Sequence, residues 1–288
     1  GSRDATPQLV EHWRQAHPAV ALRCQRRSDL SLSGTAVPER HAFNRLAAAR
    51  NFGVQHAQAS TVLFTEAECV PDGDWVTAML AAFDDPRVMG ARGAFRTEQK
   101  SLVPRFVQAE YEDRYDRALH HDQIDFIDNY SAAYRRDVFL INGGFDVEFG
   151  ACEDQELSFR LAEKGYRLVF APQAVVTHLH DTGLTEYMRR KYAQGFWKAL
   201  LTHLHPERMV QDTHTPQVLK LQIVLLSLML ALLPVGVLGL WWPLLDWFWL
   251  AVFMLLLAFL LSILPFLAKL AQRSWALAAF GPVMLAAR

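Results

Sequence analysis

The feature that most constrains this fold is a pair of uncharged apolar runs near the C-terminus. From Leu221 to Trp242 the only polar side chains are Gln222 and Ser227, and from Trp247 to Ala268 the only one is Ser262. Each run is about the 20 residues that a membrane-spanning helix needs. Trp241, Trp242, Trp247 and Trp249 gather at the connection, where an aromatic belt meets the headgroups. The connection Pro243–Asp246 carries no Lys or Arg, whereas Arg208 and Lys220 precede the pair and Lys269 and Arg273 follow it. Positive-inside asymmetry then predicts a multi-pass protein of the inner cell membrane, with both flanks and the preceding domain in the cytoplasm. A third apolar segment, 275–287, is too short to cross.

Residues 1–215 have a different character, with mixed charge and alternating patterns. Helical periodicity covers Pro7–His17, His41–Gln58, Asp74–Phe83, Leu102–His121, Arg136–Asn142 and Glu153–Gly165. Short apolar runs at Val20–Arg23, Thr61–Phe64, Val88–Phe95, Tyr166–Phe170 and Ala174–Thr177 read as strands, with Ser131–Tyr134 extended, and Arg26–Arg40 reads as a loop. Strands alternating with helices predict an α/β fold, a mostly parallel sheet flanked by helices. Leu184–His205 mixes Arg189, Arg190, Lys191 and Lys198 with Tyr187, Met188, Tyr192, Phe196 and Trp197, the composition of an amphipathic helix lying in a membrane interface. The expected organisation is a domain over 1–183, an interfacial helix and linker over 184–215, and a membrane region over 216–288.

A net charge of −1 gives no electrostatic basis for a nucleic-acid partner. The three cysteines, Cys24, Cys69 and Cys152, lie far apart with no metal-binding spacing and no disulfide framework.

Two acidic motifs carry the chemistry. Glu66 and Glu68 follow the strand run Thr61–Phe64, and Glu153 and Asp154 open the helical pattern that continues through Leu157 and Leu161. Carboxylates beyond a strand end can hold a hard divalent cation, Mn²⁺ or Mg²⁺, against a diphosphate. A carboxylate at a helix start either caps that helix or serves as a general base. His178 and His180 flank Leu179 at a strand end, on one side by alternation, so that either can meet a metal or a phosphate.

Taken together, these segments resemble a known family. The run Arg45–Asn51 (Arg-Leu-Ala-Ala-Ala-Arg-Asn), the run Phe64–Pro71, the sequence Arg135-Arg136-Asp137 followed by Gly143–Asp146, and the run Glu153–Leu161 are similar in order and spacing to family 2 glycosyltransferases of the GT-A fold. The resemblance covers about residues 1–200. It implies a metal-dependent, inverting transferase that moves a sugar from a nucleotide-sugar donor to an acceptor hydroxyl. The acceptor would be a lipid-linked sugar, a lipid or a polysaccharide at the membrane surface, with membrane lipids as neighbours. By the same resemblance Glu68 is the metal ligand and Glu66 lies near the ribose and sugar. Arg50 and Asn51 belong to the donor and diphosphate site, Asp154 is the catalytic base with Glu153 beside it, and His178 contacts metal or diphosphate.

Two departures stand out. Both acids of the first motif are Glu where the family usually has Asp. The segment Gly1–Thr6 resembles the end of the family's D-D-G-S-x-D loop, so the chain reads as an N-terminally truncated fragment. Gln194–Lys198 matches the Q-x-x-R-W motif of processive members only loosely. The alternative that these departures motivate is a degenerate transferase fold acting as a membrane scaffold or regulatory partner.

Overall fold

A computed structural model describes residues 5–20, 45–210, 212–239 and 247–288. Two compact units are distinguished, Gly1–His41 and Ala42–Arg288. In the first, helix α1 (Thr6–Ala16) starts with Pro7 in its first turn and buries none of its residues. The strand expected at Val20–Arg23 and the loop at Arg26–Arg40 lie outside the described residues.

The second unit holds everything else that is described. Its elements in order are α2 (Arg45–His56), β1 (Thr61–Phe64), β2 (Cys69–Pro71), α3 (Trp75–Ala81), β3 (Val88–Arg96), α4 (Leu102–Ala118), β4 (Ala132–Arg135), α5 (Arg136–Ile141), α6 (Glu153–Glu163), β5 (Arg167–His178), α7 (Leu184–Leu204), α8 (Pro206–Val210), α9 (Gln217–Gly239), α10 (Trp247–Arg273) and α11 (Trp275–Ala287). The strands form one sheet in the order β1-β4-β3-β5-β2. Apolar residues from α2, α5 and α6 (Ala47, Val54, Phe139, Leu157, Leu161) pack on one region of it around Tyr134 and Leu168, and Trp75, Met79 and Tyr115 close over Phe95 and Val176 elsewhere.

The α/β class with helices flanking a sheet agrees with the sequence reading, but the described sheet is mixed where a mostly parallel one was expected. β3 and β5 pair in parallel, whereas β1–β4, β3–β4 and β2–β5 are antiparallel. Helix–strand alternation gives parallel neighbours only when each helix returns the chain to its starting edge. After α4 the chain runs through residues 119–131 and enters β4 antiparallel to both of its neighbours, β1 and β3. The segments Tyr166–Phe170 and Ala174–Thr177 are likewise one strand, β5, whose register against β3 shifts between Arg92 and Ala94. Pro172 has no N–H to give a ladder, so it falls in that irregularity.

Gly93 lets β3 approach its neighbours closely. A Cβ there would lie 2.1 Å from Ser131 Oγ and 2.2 Å from the Ala174 carbonyl oxygen. Ser131 Oγ in turn accepts a hydrogen bond from Trp75 Nε1 (2.8 Å) and donates to the Ala174 carbonyl (3.1 Å).

Helix α4 ties the sheet to the apolar C-terminal helices. Val103, Phe106 and Val107 share one core with Leu225 of α9, Phe259 and Ile263 of α10, and Leu277 and Met284 of α11. Among the described residues one helical stretch, Phe248–Arg273 of α10, is long and apolar enough to cross a membrane, and the apolar stretches Gln217–Leu232 and Trp275–Ala287 are shorter. The end of the first expected span, with Trp241, Trp242 and the connection Pro243–Asp246, lies outside the described residues. α10 leaves Leu250, Phe253, Met254, Leu260, Leu261 and Leu264 exposed, far more apolar surface than water tolerates in one patch. α7 buries Tyr187 and Leu201 but exposes Met188, Tyr192, Phe196, Leu200 and Leu204, which recur every fourth residue along one face.

Candidate active site

Arg50 joins the two acidic motifs. Its position on α2 places the guanidinium between the end of β1 and the start of α6. Nη1 donates to Glu153 Oε1 at 2.7 Å and Nη2 donates to Glu66, all three side chains being largely buried. Asn129 Nδ2 adds a 3.3 Å hydrogen bond to the same Glu153 oxygen. Burial, reinforced by Glu68 and Glu153 and opposed by Arg50, pushes the Glu66 carboxyl above its ordinary range.

Asp154 lies one residue into α6, beside Glu153. Three acidic residues in the first turn of this helix face its positive end. Asp154 Oδ1 accepts the Gln155 backbone N–H at 2.8 Å, a contact within its own turn. Burial first, then repulsion from Glu153 and Asp128, drive its carboxyl up to about 8. An acid so shifted binds its proton strongly, which suits a group that must accept one. The residue before Glu153, Cys152, has φ 65°, the left-handed region that a residue with a Cβ seldom occupies. Burial pushes the Cys152 thiol up to about 12, which leaves it unreactive.

Asn51 plays a bracing part. Its Nδ2 donates to the Phe145 carbonyl (2.8 Å) and its Oδ1 accepts the Phe145 N–H (2.9 Å). Both ends of the amide thus hold the turn through Gly143 and Gly144, whose φ values are 81° and 69°. Arg160 holds the same turn from α6, donating to the Asn142 and Gly144 carbonyls while paired with Glu156. The expectation for Asn51 was donor binding; its amide is occupied by the loop that leads into the acidic helix start.

Glu68 and His178 meet because β2 and β5 pair antiparallel, with Cys69 opposite His178. They line one small cavity of about 80 Å³ with Tyr111, Tyr130, His180 and Arg190. The two histidines do share one side, as alternation requires, with their Nδ1 atoms 3.1 Å apart. Burial, then Arg190, lowers His178 to about 4, and burial, then His178, lowers His180 to about 3. Both rings are therefore neutral, and a neutral imidazole has a lone pair for a metal. Gln108 meets His180 Nε2 at 3.1 Å, and Gln99 holds the His180 backbone from both sides. Arg190 of α7 pairs with Asp181 at 2.6 Å on the cavity wall.

No group of three or more His, Cys, Asp or Glu able to hold a metal occurs among the described residues. The donor set still fits a divalent cation whose other ligands come from a substrate. Mg²⁺-type sites commonly use one or two carboxylates together with phosphate oxygens; Glu68 is the carboxylate in this cavity, with the neutral His178 imidazole on the same wall. Sequence reasoning missed Arg190 and Asp181 as site residues, since neither belongs to a motif. It also missed the buried pair of Arg92 and Asp128 (2.8 Å), whose charge reaches Asp154.

Comparison with known proteins follows this geometry. The family model described as glycosyltransferase like family 2 matches residues 1–196. The chain is 30% identical over 168 residues to a pre-mycofactocin glycosyltransferase of Mycobacterium tuberculosis, covering 56% of this chain and 36% of that protein. It is 26% identical over 161 residues to the O-antigen chain rhamnosyltransferase RfbN of Salmonella typhimurium, covering 52% of this chain and 51% of that protein. The chain thus spans about half or less of the length of these curated relatives. Among solved structures, a mannosyltransferase from Pyrobaculum calidifontis, in complex with GDP-Man and Mn²⁺, aligns with a TM-score of 0.45 and 23% identity over 66% of this chain and 49% of that one.

Proposed function

The chain belongs to glycosyltransferase-like family 2, and from that premise we propose that it transfers a sugar from a nucleotide-sugar donor to an acceptor hydroxyl at a membrane surface, with inversion. The observation that carries this reading is the single guanidinium of Arg50 drawing Glu66 and Glu153 together, which sets Asp154 in the same cleft.

In this mechanism Asp154 takes the proton of the acceptor hydroxyl as its oxygen attacks the anomeric carbon. The bond from that carbon to the diphosphate breaks, and the diphosphate leaves with the electron pair. The partly buried setting of Asp154 strengthens it as a base, and Asn129 and Arg50 fix Glu153 so that repulsion between the neighbouring acids does not splay the helix start. Arg190 stands where it offsets charge on a diphosphate in the Glu68–His178 cavity. Glu68 and His178 would hold a divalent cation there, which supplies electrostatic relief to the leaving group.

Membrane placement is part of the proposal. The exposed apolar surface of α10 and the apolar row of α7 support insertion of one and interfacial packing of the other. The basic flanks Arg208, Lys220, Lys269 and Arg273 favour an α9–α10 hairpin entering from the cytoplasmic side of the cell membrane. The acceptor is then a lipid-linked sugar, a lipid or a growing polysaccharide.

The experiment is nucleoside diphosphate release from a panel of nucleotide sugars, in membranes containing endogenous acceptors and with Mn²⁺ present. Wild-type release that falls at least about 100-fold in Asp154→Asn supports the reading. Equal release by both proteins rejects Asp154 as the base, and a product of retained anomeric configuration by NMR rejects inversion.

A further inference from the structure

A second cavity lies where α4 meets the apolar helices α9, α10 and α11, and it has a volume of about 230 Å³. Its walls are of two kinds. Leu219, Ile263, Phe266 and Leu285 make one apolar side, and the other side carries Arg114, Arg117, Lys269 and Arg288 with only Glu110 and Asp113 as counter-charges.

The ion pairs among these groups leave positive charge over. Asp113 is shared between Arg117 and Lys269, the latter at 2.5 Å, and Glu110 is taken by Arg288 at 2.6 Å. Arg114 is 8% exposed and forms no salt bridge among the described residues; its guanidinium lies 4.8 Å from the centre of the Tyr111 ring. Arg117 Nη2 and Arg288 Nε are buried and have no hydrogen-bond partner among the described residues. Burial opposes ionisation of Glu110, yet Lys191, Arg288 and Arg114 together outweigh it and hold that carboxyl down to about 2. The Arg117 and Arg288 guanidinium groups each keep one buried N–H without an acceptor beside an ion pair already made, and Arg114 adds a third positive charge with no salt bridge among the described residues, a set that an incoming anion would satisfy.

The position of the cavity says which anion. It opens beside Lys269, near the charged end of α10, and beside the first turns of α9 at Val218, Leu219 and Gln222. With α10 across a bilayer, this end of the helix stands at headgroup level and the apolar wall points along the chains. We propose that this cavity binds the phosphate headgroup of an anionic membrane lipid, with Arg114 as its principal counter-ion and an acyl chain against Ile263 and Phe266. The inference rests on the membrane reading given above. It assigns α4 a second role, since the helix that lines the sheet also reads the lipid.

The test is native mass spectrometry of the purified chain in non-ionic detergent, titrated separately with phosphatidylglycerol, phosphatidylcholine and inorganic phosphate. Phosphatidylglycerol is expected to bind at least about tenfold tighter than phosphatidylcholine. Arg114→Gln and Lys269→Gln are each expected to weaken it about fivefold, the effect of one cation near a lipid surface, without changing phosphatidylcholine binding. Lys269 is 53% exposed, so its variant folds even if the Arg114 variant does not. Equal binding of the two lipids, or wild-type affinity for phosphatidylglycerol in Lys269→Gln and in folded Arg114→Gln, overturns the site. Displacement of phosphatidylglycerol by inorganic phosphate at equal affinity assigns the cavity to a free anion and overturns the lipid assignment. Reconstitution into phosphatidylcholine nanodiscs separates the two readings. Failure to insert overturns the membrane reading and the site with it, whereas insertion without headgroup preference overturns the site alone.

Discussion

Replacing Arg50 by Gln tests the electrostatic hub directly. The guanidinium contacts Glu153 at 2.7 Å and also holds Glu66, with side-chain exposures of 14% for Arg50, 11% for Glu153 and 20% for Glu66. At an effective dielectric of about 20 and roughly 4 Å between charge centres, each pair gains about 4 kcal/mol of Coulomb energy. Desolvation of the three ions offsets much of that, and removing one partner of such a network costs about 3–5 kcal/mol because the remaining charges stay buried. For a chain of this size that is a fall of about 6–15 °C in apparent Tm. The assay is thermal unfolding of wild type and Arg50→Gln in mild detergent with chelator present, at pH 8 and pH 5. Glu66 is already raised above 4.5, chiefly by burial, and loss of Arg50 raises it further. A carboxyl raised in the folded state contributes stability that is present below its unfolded value and lost as pH rises through the folded one. The deficit of the variant must therefore be larger at pH 8 than at pH 5. A shift below about 2 °C at pH 8, or an equal deficit at both values, refutes the hub.

Three further outcomes are expected. The acid limb of kcat/KM should lie well above the ordinary aspartate range of about 4, because burial, Glu153 and Asp128 raise Asp154 to about 8 and the base must be deprotonated to act; a pH–rate profile over pH 4–9 checks this. Chelation should abolish nucleoside diphosphate release, and Glu68→Gln should raise the Mn²⁺ concentration for half-maximal activity by about tenfold or more, read from a metal titration. Gly93→Ala should lower stability by about 1–3 kcal/mol or more in a denaturation series, since the added Cβ meets the Ala174 carbonyl oxygen at 2.2 Å, an atom of the backbone that has little room to move.

The elements with strong periodicity were legible from the residues: β1, β3, α4, α6, α7 and α10 fall where their patterns put them. Strand direction was not, because the period of a strand records which side faces the core and not which way the chain runs. The path of the chain through residues 119–131 delivers β4 antiparallel to its neighbours, and that stretch carries no periodic pattern. Pro172 was visible, but a proline inside an apolar run reads as a gap between two strands as readily as an irregularity in one.

The site divides in the same way. That Glu68 and His178 line one cavity follows from the register of β2 on β5, which sets Cys69 opposite His178 and which no spacing in the chain encodes. Arg50 entered the sequence reading through the family pattern as a donor-site residue. Only its placement between β1 and α6 shows one cation serving two acidic motifs that lie far apart in sequence. That placement has a chemical consequence. Glu66, Glu153 and Asp154 would repel one another and open the cleft in the absence of a counter-charge, and in the folded chain Arg50 supplies it. In the proposed mechanism a diphosphate arriving with its own negative charge changes that balance, and the cation lining the Glu68–His178 cavity is on another element, Arg190 of α7, paired with Asp181. The base and the leaving group of that mechanism are thus served by different arginines, Arg50 and Arg190. Loss of Arg50 should therefore impair folding and the acid pair, while loss of Arg190 should impair donor turnover in a chain that still folds.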